Sequence, residues 1–157
     1  MDYFSLIIIV IAQYLTIVPV FIYGVYFIRT KEKKKLILCT MIIALLSIIL
    51  ALLAGALYYN PRPFVVDNTA PLFPHSADNG FPSDHVLFAA IIAASLLPFS
   101  KKYGLIVGFI ALLIGIARVY AGVHHIIDII ASMLVAMISY GIFLLIIKQR
   151  QKPGSGV

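Results

Sequence analysis

Arg118-Val119-Tyr120-Ala121-Gly122-Val123-His124-His125-Ile126-Ile127-Asp128 is a short polar interruption between two long apolar runs, roughly Tyr103 to Tyr120 and Ile126 to Ile147. A helix needs about 20 apolar residues to cross hydrocarbon, and both runs come near or exceed that length. The same pattern recurs outward from this stretch. Phe81-Pro82-Ser83-Asp84-His85 opens a run from Pro82 to Pro98, and Asn60-Pro61-Arg62-Pro63 follows a run from Leu36 to Tyr59. A further run, Tyr3 to Ile28, precedes them. Charge is costly in such surroundings, so the polar interruptions mark a site. The expected fold is an all-α, polytopic membrane helix bundle of about five transmembrane helices. One domain covers 1–152 and a flexible tail 153–157.

Composition points the same way. The chain is 62% hydrophobic and 11% charged, with a mean hydropathy of +1.07, where a soluble domain carries roughly 25% charged residues. No Lys/Arg cluster with interleaved aromatics is present, so nucleic acid is not an expected partner. The bilayer is. The single cysteine, Cys39, lies inside an apolar run, which excludes an intrachain disulfide and reads as a small buried side chain. The first run lacks a basic leader and a small-x-small cleavage site and is too long for a signal core. It is read as a retained transmembrane helix.

Basic residues set the expected orientation. Arg29, Lys31, Lys33, Lys34 and Lys35, then Lys101 and Lys102, then Lys148, Arg150 and Lys152 place ten of the twelve Lys and Arg residues on one side, expected to be cytoplasmic. Arg62 and Arg118 fall on the other side with the polar motifs and with Asp2, Asp67, Asp78, Asp84 and Asp128. This gives an N-terminus outside, a C-terminus in the cytoplasm, and a site on the outer face. The 60–81 segment holds Pro61, Pro63, Pro71, Pro74 and Gly80, with turn formers at Asp67-Asn68-Thr69 and Asp78-Asn79-Gly80. It is expected to be an irregular excursion.

The site residues suggest phosphate chemistry. Ser83 is a candidate N-cap for the run that follows it, and a helix start presents free N–H groups suited to an anion. Arg62 and Arg118 are permanently charged forks that match phosphate oxygens. One such arginine alone would read as snorkelling to headgroups. Two, both beside histidines on the sparsely basic side, favour phosphate. His124 and Asp128 share a face if a helix begins near His124, so the carboxylate would accept from Nδ1 and leave Nε2 as nucleophile or base. The bland reading of that pair is a helix-end hydrogen bond without catalysis. His85, from another helix, suits a general acid. His75 and His125 read as structural or rim residues. Histidine and aspartate also suit a metal, but two arginines would take over its charge neutralisation, so no metal or other cofactor is expected.

Together these residues resemble the signature of the type-2 phosphatidate phosphatase superfamily of membrane lipid phosphatases, written K-x6-R-P, P-S-G-H and S-R-x5-H-x3-D. Arg62-Pro63 matches the end of the first part, and Pro82-Ser83-Asp84-His85 the second with Asp84 in place of glycine. Arg118, His124 and Asp128 match the third. The resemblance runs from about Leu45 to Leu145 and looks most like bacterial undecaprenyl-diphosphate phosphatases of the bacitracin-resistance type. Three departures stand out. Gly55 occupies the place of the family lysine, Ala117 that of its serine, and five spans are read where the family commonly has six. The lost lysine bears on phosphate affinity and substrate choice. Asp84 would repel a phosphate if aimed at it and is expected at the rim.

The resemblance implies that His124 attacks the terminal phosphorus to give a phosphohistidine while Asp128 orients it. His85 protonates the leaving group, then activates water, and Arg62, Ser83 and Arg118 hold the phosphoryl oxygens. It also implies a lipid phosphate substrate, with a polyprenyl diphosphate such as undecaprenyl diphosphate as the first reading, in a bacterial cytoplasmic membrane with the site facing outward. Phosphatidate, phosphatidylglycerophosphate or a lipid A phosphate stands as the alternative substrate. A non-catalytic lipid-binding protein with a degenerate site is the third reading. A transporter-like variant of it finds little polar material at midplane beyond Gln13, Thr16, Thr40 and Ser47.

Overall fold

A computed structural model describes residues 2–151, so the tail at 153–157, along with Met1 and Lys152, lies outside the described residues. Those residues form seven helices in the order α1 (Tyr3–Tyr14), α2 (Ile17–Arg29), α3 (Lys33–Leu57), α4 (Pro63–Val66), α5 (Asp84–Leu96), α6 (Lys101–Tyr120) and α7 (Ile126–Gln151). The fold is all-α, as expected. Three helices, α3, α6 and α7, are long and apolar enough to cross a membrane, or four spans if α1 and α2 count as one. Their outer faces carry exposed side chains such as Phe21, Leu52, Leu105, Phe109, Leu134 and Leu145. In lipid that is the stable arrangement. The protein is an integral membrane protein.

Two elements differ from the sequence reading. The run Tyr3 to Ile28 is not one helix but α1 and α2, bent by 46°. Pro19 accounts for the break. It has no N–H to give to the Leu15 carbonyl, and its ring crowds that oxygen. The Leu15 carbonyl accepts from Val18 instead, at 3.0 Å. Pro19 thus falls in the first turn of a new helix, where proline is tolerated. The run Pro82 to Pro98 yields α5, whose 13 residues reach only about 20 Å at 1.5 Å per residue, short of the roughly 30 Å of hydrocarbon.

α5 is surrounded by the other helices. Val86, Leu87 and every residue from Ala89 to Leu96 are buried, and the helix packs against α2, α3, α6 and α7. Its alanines, Ala89, Ala90, Ala93 and Ala94, let the neighbours approach closely, the usual means of helix association without a hydrophobic drive. One side meets Cys39, Ile43, Val135 and Phe143, and another meets Ala111, Ile114 and Ile129. Cys39 is buried as expected. Gly115 of α6 lies so near Ile129 of α7 that an added Cβ would collide with it. The bundle therefore holds the start of α5, the end of α6 and the start of α7 together at one end. The 60–81 excursion closes over that end with a single helical turn, α4, and an isolated antiparallel bridge between Pro61 and Asn79.

Candidate active site

The spacing from Arg118 to Asp128 is that of two consecutive helix caps. α6 ends in a Schellman motif. Val123 N–H donates to the Arg118 carbonyl at 3.2 Å, and Gly122 N–H donates to the Val119 carbonyl at 3.0 Å. Gly122 takes the left-handed conformation this needs, with φ +74°, at no steric cost to a glycine. α7 then begins at Ile126, where the apolar run begins, which makes His125 its N-cap. The Asp128 carboxylate reaches back to the His125 N–H at 2.8 Å. This is the carboxylate half of a capping box. His124 is left between the two caps, its backbone set from both sides.

Asp128 is fully buried and accepts three hydrogen bonds. Oδ2 takes the His125 N–H and lies 3.2 Å from His124 Nδ1, while Oδ1 takes the Asn60 amide at 2.7 Å. A carboxylate can only accept here, so Nδ1 carries the proton. On the other ring edge the Arg62 guanidinium, which can only donate, lies 3.3 Å from Nε2. Both neighbours therefore select one neutral tautomer, with the Nε2 lone pair unprotonated and accepting from Arg62. Burial holds the His124 pKa below its ordinary value. The Asp128 hydrogen bond opposes that shift, and the charges of Arg118 and Arg62 add to it.

Arg62 and Arg118 are both buried, at 5% and 1% exposure. Arg62 donates to the Val123 carbonyl at 2.9 Å and, through Nε and Nη2, to Asp78 at 2.8 Å. Burial pushes the Asp78 carboxyl up, but hydrogen bonds from Ser76 and Arg62 hold it below the usual carboxylate range. Arg118 donates to the Ala12 carbonyl of α1 at 3.2 Å and to His75 at 3.0 Å, and its Nε is buried without a partner. Ser83 is the N-cap of α5, as expected, yet its hydroxyl makes no capping bond and is likewise buried and unpartnered. That corrects the expectation that the hydroxyl would satisfy an orphan N–H. The Ser83 carbonyl is the part that is held, by the Leu87 N–H at 2.9 Å and by the Ser132 hydroxyl at 2.9 Å. Unsatisfied buried donors are rare in folded proteins, and two of them at the same end of the bundle as His124 suit an anion.

His85 is half-buried on the first turn of α5, within electrostatic range of Arg118, His124, His75 and Arg62. The six residues singled out by sequence thus converge at one end of the bundle. Asp84 is exposed and lines an open groove with Gly55, Asn79 and Pro82. Among the described residues it has no ion-pair partner. A Cβ at Gly55 would meet the Phe81 carbonyl at 3.1 Å, so glycine there lets α3 pass close to the Phe81-Pro82 backbone. His125 Nε2 lies 3.0 Å from the Pro61 carbonyl and donates to it, a structural tie in line with the sequence reading.

Sequence reasoning misses Asn60, Asp78, Asn79, Ser132 and the placement of His75. Asn79 is more than a turn former. Its amide oxygen accepts from Asn60 and Phe81 N–H, both at 3.0 Å, and its NH2 donates to the Gly55 and Tyr58 carbonyls at 3.0 and 3.2 Å. A turn-prone Asp-Asn-Gly is the one available signal, and it carries no hint of those partners.

Residues 34–152 match the PAP2 superfamily. Undecaprenyl-diphosphatase BcrC of Bacillus subtilis is 30% identical over 129 residues, 82% of this chain and 64% of the relative. Bacitracin transport permease protein BcrC of Bacillus licheniformis is 32% identical over 112 residues, 71% of this chain and 55% of the relative. This chain therefore spans between half and two thirds of the length of those two relatives. Among solved structures, Aquifex aeolicus LpxE superposes with a TM-score of 0.67 at 28% identity, covering 92% of this chain and 87% of that one. A PAP2 type phosphatidylglycerolphosphate phosphatase from Bacillus subtilis shares the fold, with a TM-score of 0.65 at 24% identity, covering 97% of this chain and 80% of that one.

Proposed function

The chain belongs to the PAP2 superfamily, and from that premise we propose that it is a membrane lipid phosphatase that removes the terminal phosphate of a polyprenyl diphosphate. His124 Nε2 attacks the terminal phosphorus, and the bond from phosphorus to the bridging oxygen breaks. His85 gives that oxygen its proton, leaving a polyprenyl monophosphate and a phosphohistidine. His85 then takes a proton from water, whose oxygen attacks the same phosphorus and frees inorganic phosphate and His124. Asp128 holds the imidazole and stabilises its charge, while Arg62, Arg118, the Ser83 hydroxyl and the free N–H groups of α5 surround the phosphoryl oxygens. The observation that carries this reading is the pairing of unpartnered buried donors, Arg118 Nε and Ser83 Oγ, with a His124 held neutral from both ring edges.

The lipid tail has a route. An apolar groove lined by Tyr58, Phe81, Ile127, Ile130, Ala131 and Leu134 includes the residues next to Pro82 and Asp128. In the proposed five-span topology α5 spans only part of the hydrocarbon and the non-helical residues flanking it complete the crossing, with the site at the outer face of a bacterial cytoplasmic membrane, which the distribution of lysines supports. A second substrate reading, another lipid phosphate, is favoured by the similarity to LpxE.

The deciding experiment is phosphate release by detergent-purified protein from a panel of lipid phosphates with excess chelator, run beside His124→Ala. Preference for undecaprenyl diphosphate, abolished by the substitution, is expected. Equal rates on monophosphates move the substrate to the second reading, and equal release by His124→Ala defeats the catalytic one.

A further inference from the structure

The loop that covers the site is anchored at both ends. Phe73 is buried with Ala12 of α1, Ala117 of α6, the α6 C-cap Ala121, and Val123, and Leu72 N–H donates to the Ala121 carbonyl at 3.1 Å. At the other end Asp78 holds Arg62, and the Ser76 hydroxyl donates to Asp78 at 2.8 Å. Between these anchors His75 sits with its ring edge-on to that of His124, centroids 6.3 Å apart. Nothing in the motif that carries the phosphatase reading includes it.

His75 Nε2 lies 3.0 Å from an Arg118 Nη2 that can only donate, so Nε2 is the acceptor and the proton resides on Nδ1, which faces the Ser76 carbonyl at 3.4 Å. Arg118 is thereby tethered at two corners, by the Ala12 carbonyl on one terminal nitrogen and by His75 on the other, and its Nε is left open. A free arginine side chain has many rotamers to lose when it binds. Removing that freedom before the phosphoryl group arrives is the value of a second tether.

We propose that His75 is a positioning residue of the phosphate site, holding the Arg118 guanidinium in the orientation that presents Nε to the transferring phosphoryl group. The proposal deepens the phosphatase reading and rests on it. Burial, then the charges of Arg62 and Arg118, hold the His75 pKa below its ordinary value, while the Ser76 carbonyl and Asp78 pull the other way. The imidazole is therefore the neutral acceptor that the tether needs.

The test uses the full chain in detergent, with His75→Ala and with His75→Gln, whose amide oxygen can accept from Arg118. Misplacing a positioned group by an ångström costs on the order of 10²-fold. His75→Ala is expected to lower kcat on undecaprenyl diphosphate by about that factor with a smaller change in KM. It is also expected to weaken inorganic phosphate binding, measured by isothermal titration, by about tenfold. His75→Gln is expected to recover most of both. Activity of His75→Ala within about twofold of the parent, or equal loss in the Ala and Gln variants, overturns the proposal. Should His75→Ala lose its helical circular dichroism, His75→Leu, of similar volume and without an acceptor, takes its place against His75→Gln. A parent that releases no phosphate from any lipid defeats the phosphatase reading. The inorganic phosphate affinities of the same variants then decide the positioning role alone, and equal affinities overturn it.

Discussion

Replacing Asp128 by asparagine removes a charge from the site while leaving its shape. The amide oxygen of the Asp128→Asn side chain can take the Oδ2 position and accept from the His125 N–H and His124 Nδ1, as the carboxylate does at 2.8 and 3.2 Å. The new NH2 group would then face Asn60, whose own amide can turn over to accept. The cap, the tautomer and the fold survive. What is lost, on the proposed mechanism, is attraction to the imidazolium that forms as Nε2 bonds to phosphorus. At 3.2 Å and an effective dielectric near 20, that attraction is about 5 kcal/mol for a full charge. A half-developed charge in the transition state halves it to about 2.5 kcal/mol, on the order of 10²-fold in kcat. Asp128→Ala differs, since it orphans three donors, each at a cost of about 1–3 kcal/mol when buried, and should lower Tm as well. The assay is phosphate release by both variants beside the parent, with thermal unfolding followed by circular dichroism. A folded Asp128→Asn with kcat within about threefold of the parent would refute the electrostatic role.

Three further outcomes are expected. The lowered His124 pKa keeps its imidazole neutral below the ordinary 6.5, so the acid limb of a kcat/KM profile should lie below that pH; a limb at or above it contradicts the assignment. The unfolded chain takes up that proton first, so acidification from pH 7 should also lower Tm. Gly122→Ala meets no steric obstacle nearer than Pro71 at 3.9 Å, but it forces φ +74° on a residue with a Cβ, at roughly 1–2 kcal/mol. Tm should fall by a few degrees and kcat with it, because His124 follows two residues on, and unchanged kcat would separate the Schellman turn from the chemistry. Ala77→Cys, in the exposed part of the loop, should react with an impermeant thiol reagent on intact cells while buried Cys39 does not. Labelling only after permeabilisation would invert the orientation.

Hydropathy and motif spacing carry the reading as far as local physics reaches. The apolar runs become α3, α6 and α7 because lipid rewards an apolar helix wherever one is long enough. Arg118, His124 and Asp128 are legible because their spacing is written by two caps, a left-handed glycine and an N3 carboxylate, both local devices. Pro19 is visible too, yet counting apolar residues gives a proline no power to break a span, and so α1 and α2 read as one. Asp128 as partner of Asn60, 68 residues away, is a different matter. Nothing local distinguishes that asparagine from any other beside a proline. The same holds for Ser132, whose hydroxyl lies 2.9 Å from the Ser83 carbonyl and 2.8 Å from the Asp128 carbonyl, and for Asp78 on Arg62.

Those tertiary bonds follow from one constraint. A buried arginine brings several N–H donors into surroundings with little water to satisfy them, so acceptors must come from the protein or from a ligand. Helices use nearly all their carbonyls on themselves, and only one near the end of α1, on Ala12, accepts from Arg118. The 60–81 excursion, a connector by sequence, is the part of the chain with acceptors left over, and it supplies Asp78 to Arg62 and His75 to Arg118, with Asn60 as donor to Asp128. Arg62 is occupied on both edges, by Asp78 on one and by the Val123 carbonyl and His124 Nε2 on the other. Arg118 is not, since its Nε stays open beside a bundle end where the Ser83 hydroxyl is also unpartnered. On the proposed phosphatase reading, the donors that remain after the loop has done its share are the ones a phosphoryl group would satisfy, at Arg118 and the start of α5. Arg118→Lys, which keeps the charge and loses the fork, should then weaken inorganic phosphate binding more than Arg62→Lys does. The reverse order in titration calorimetry would place the anion on the Arg62 side.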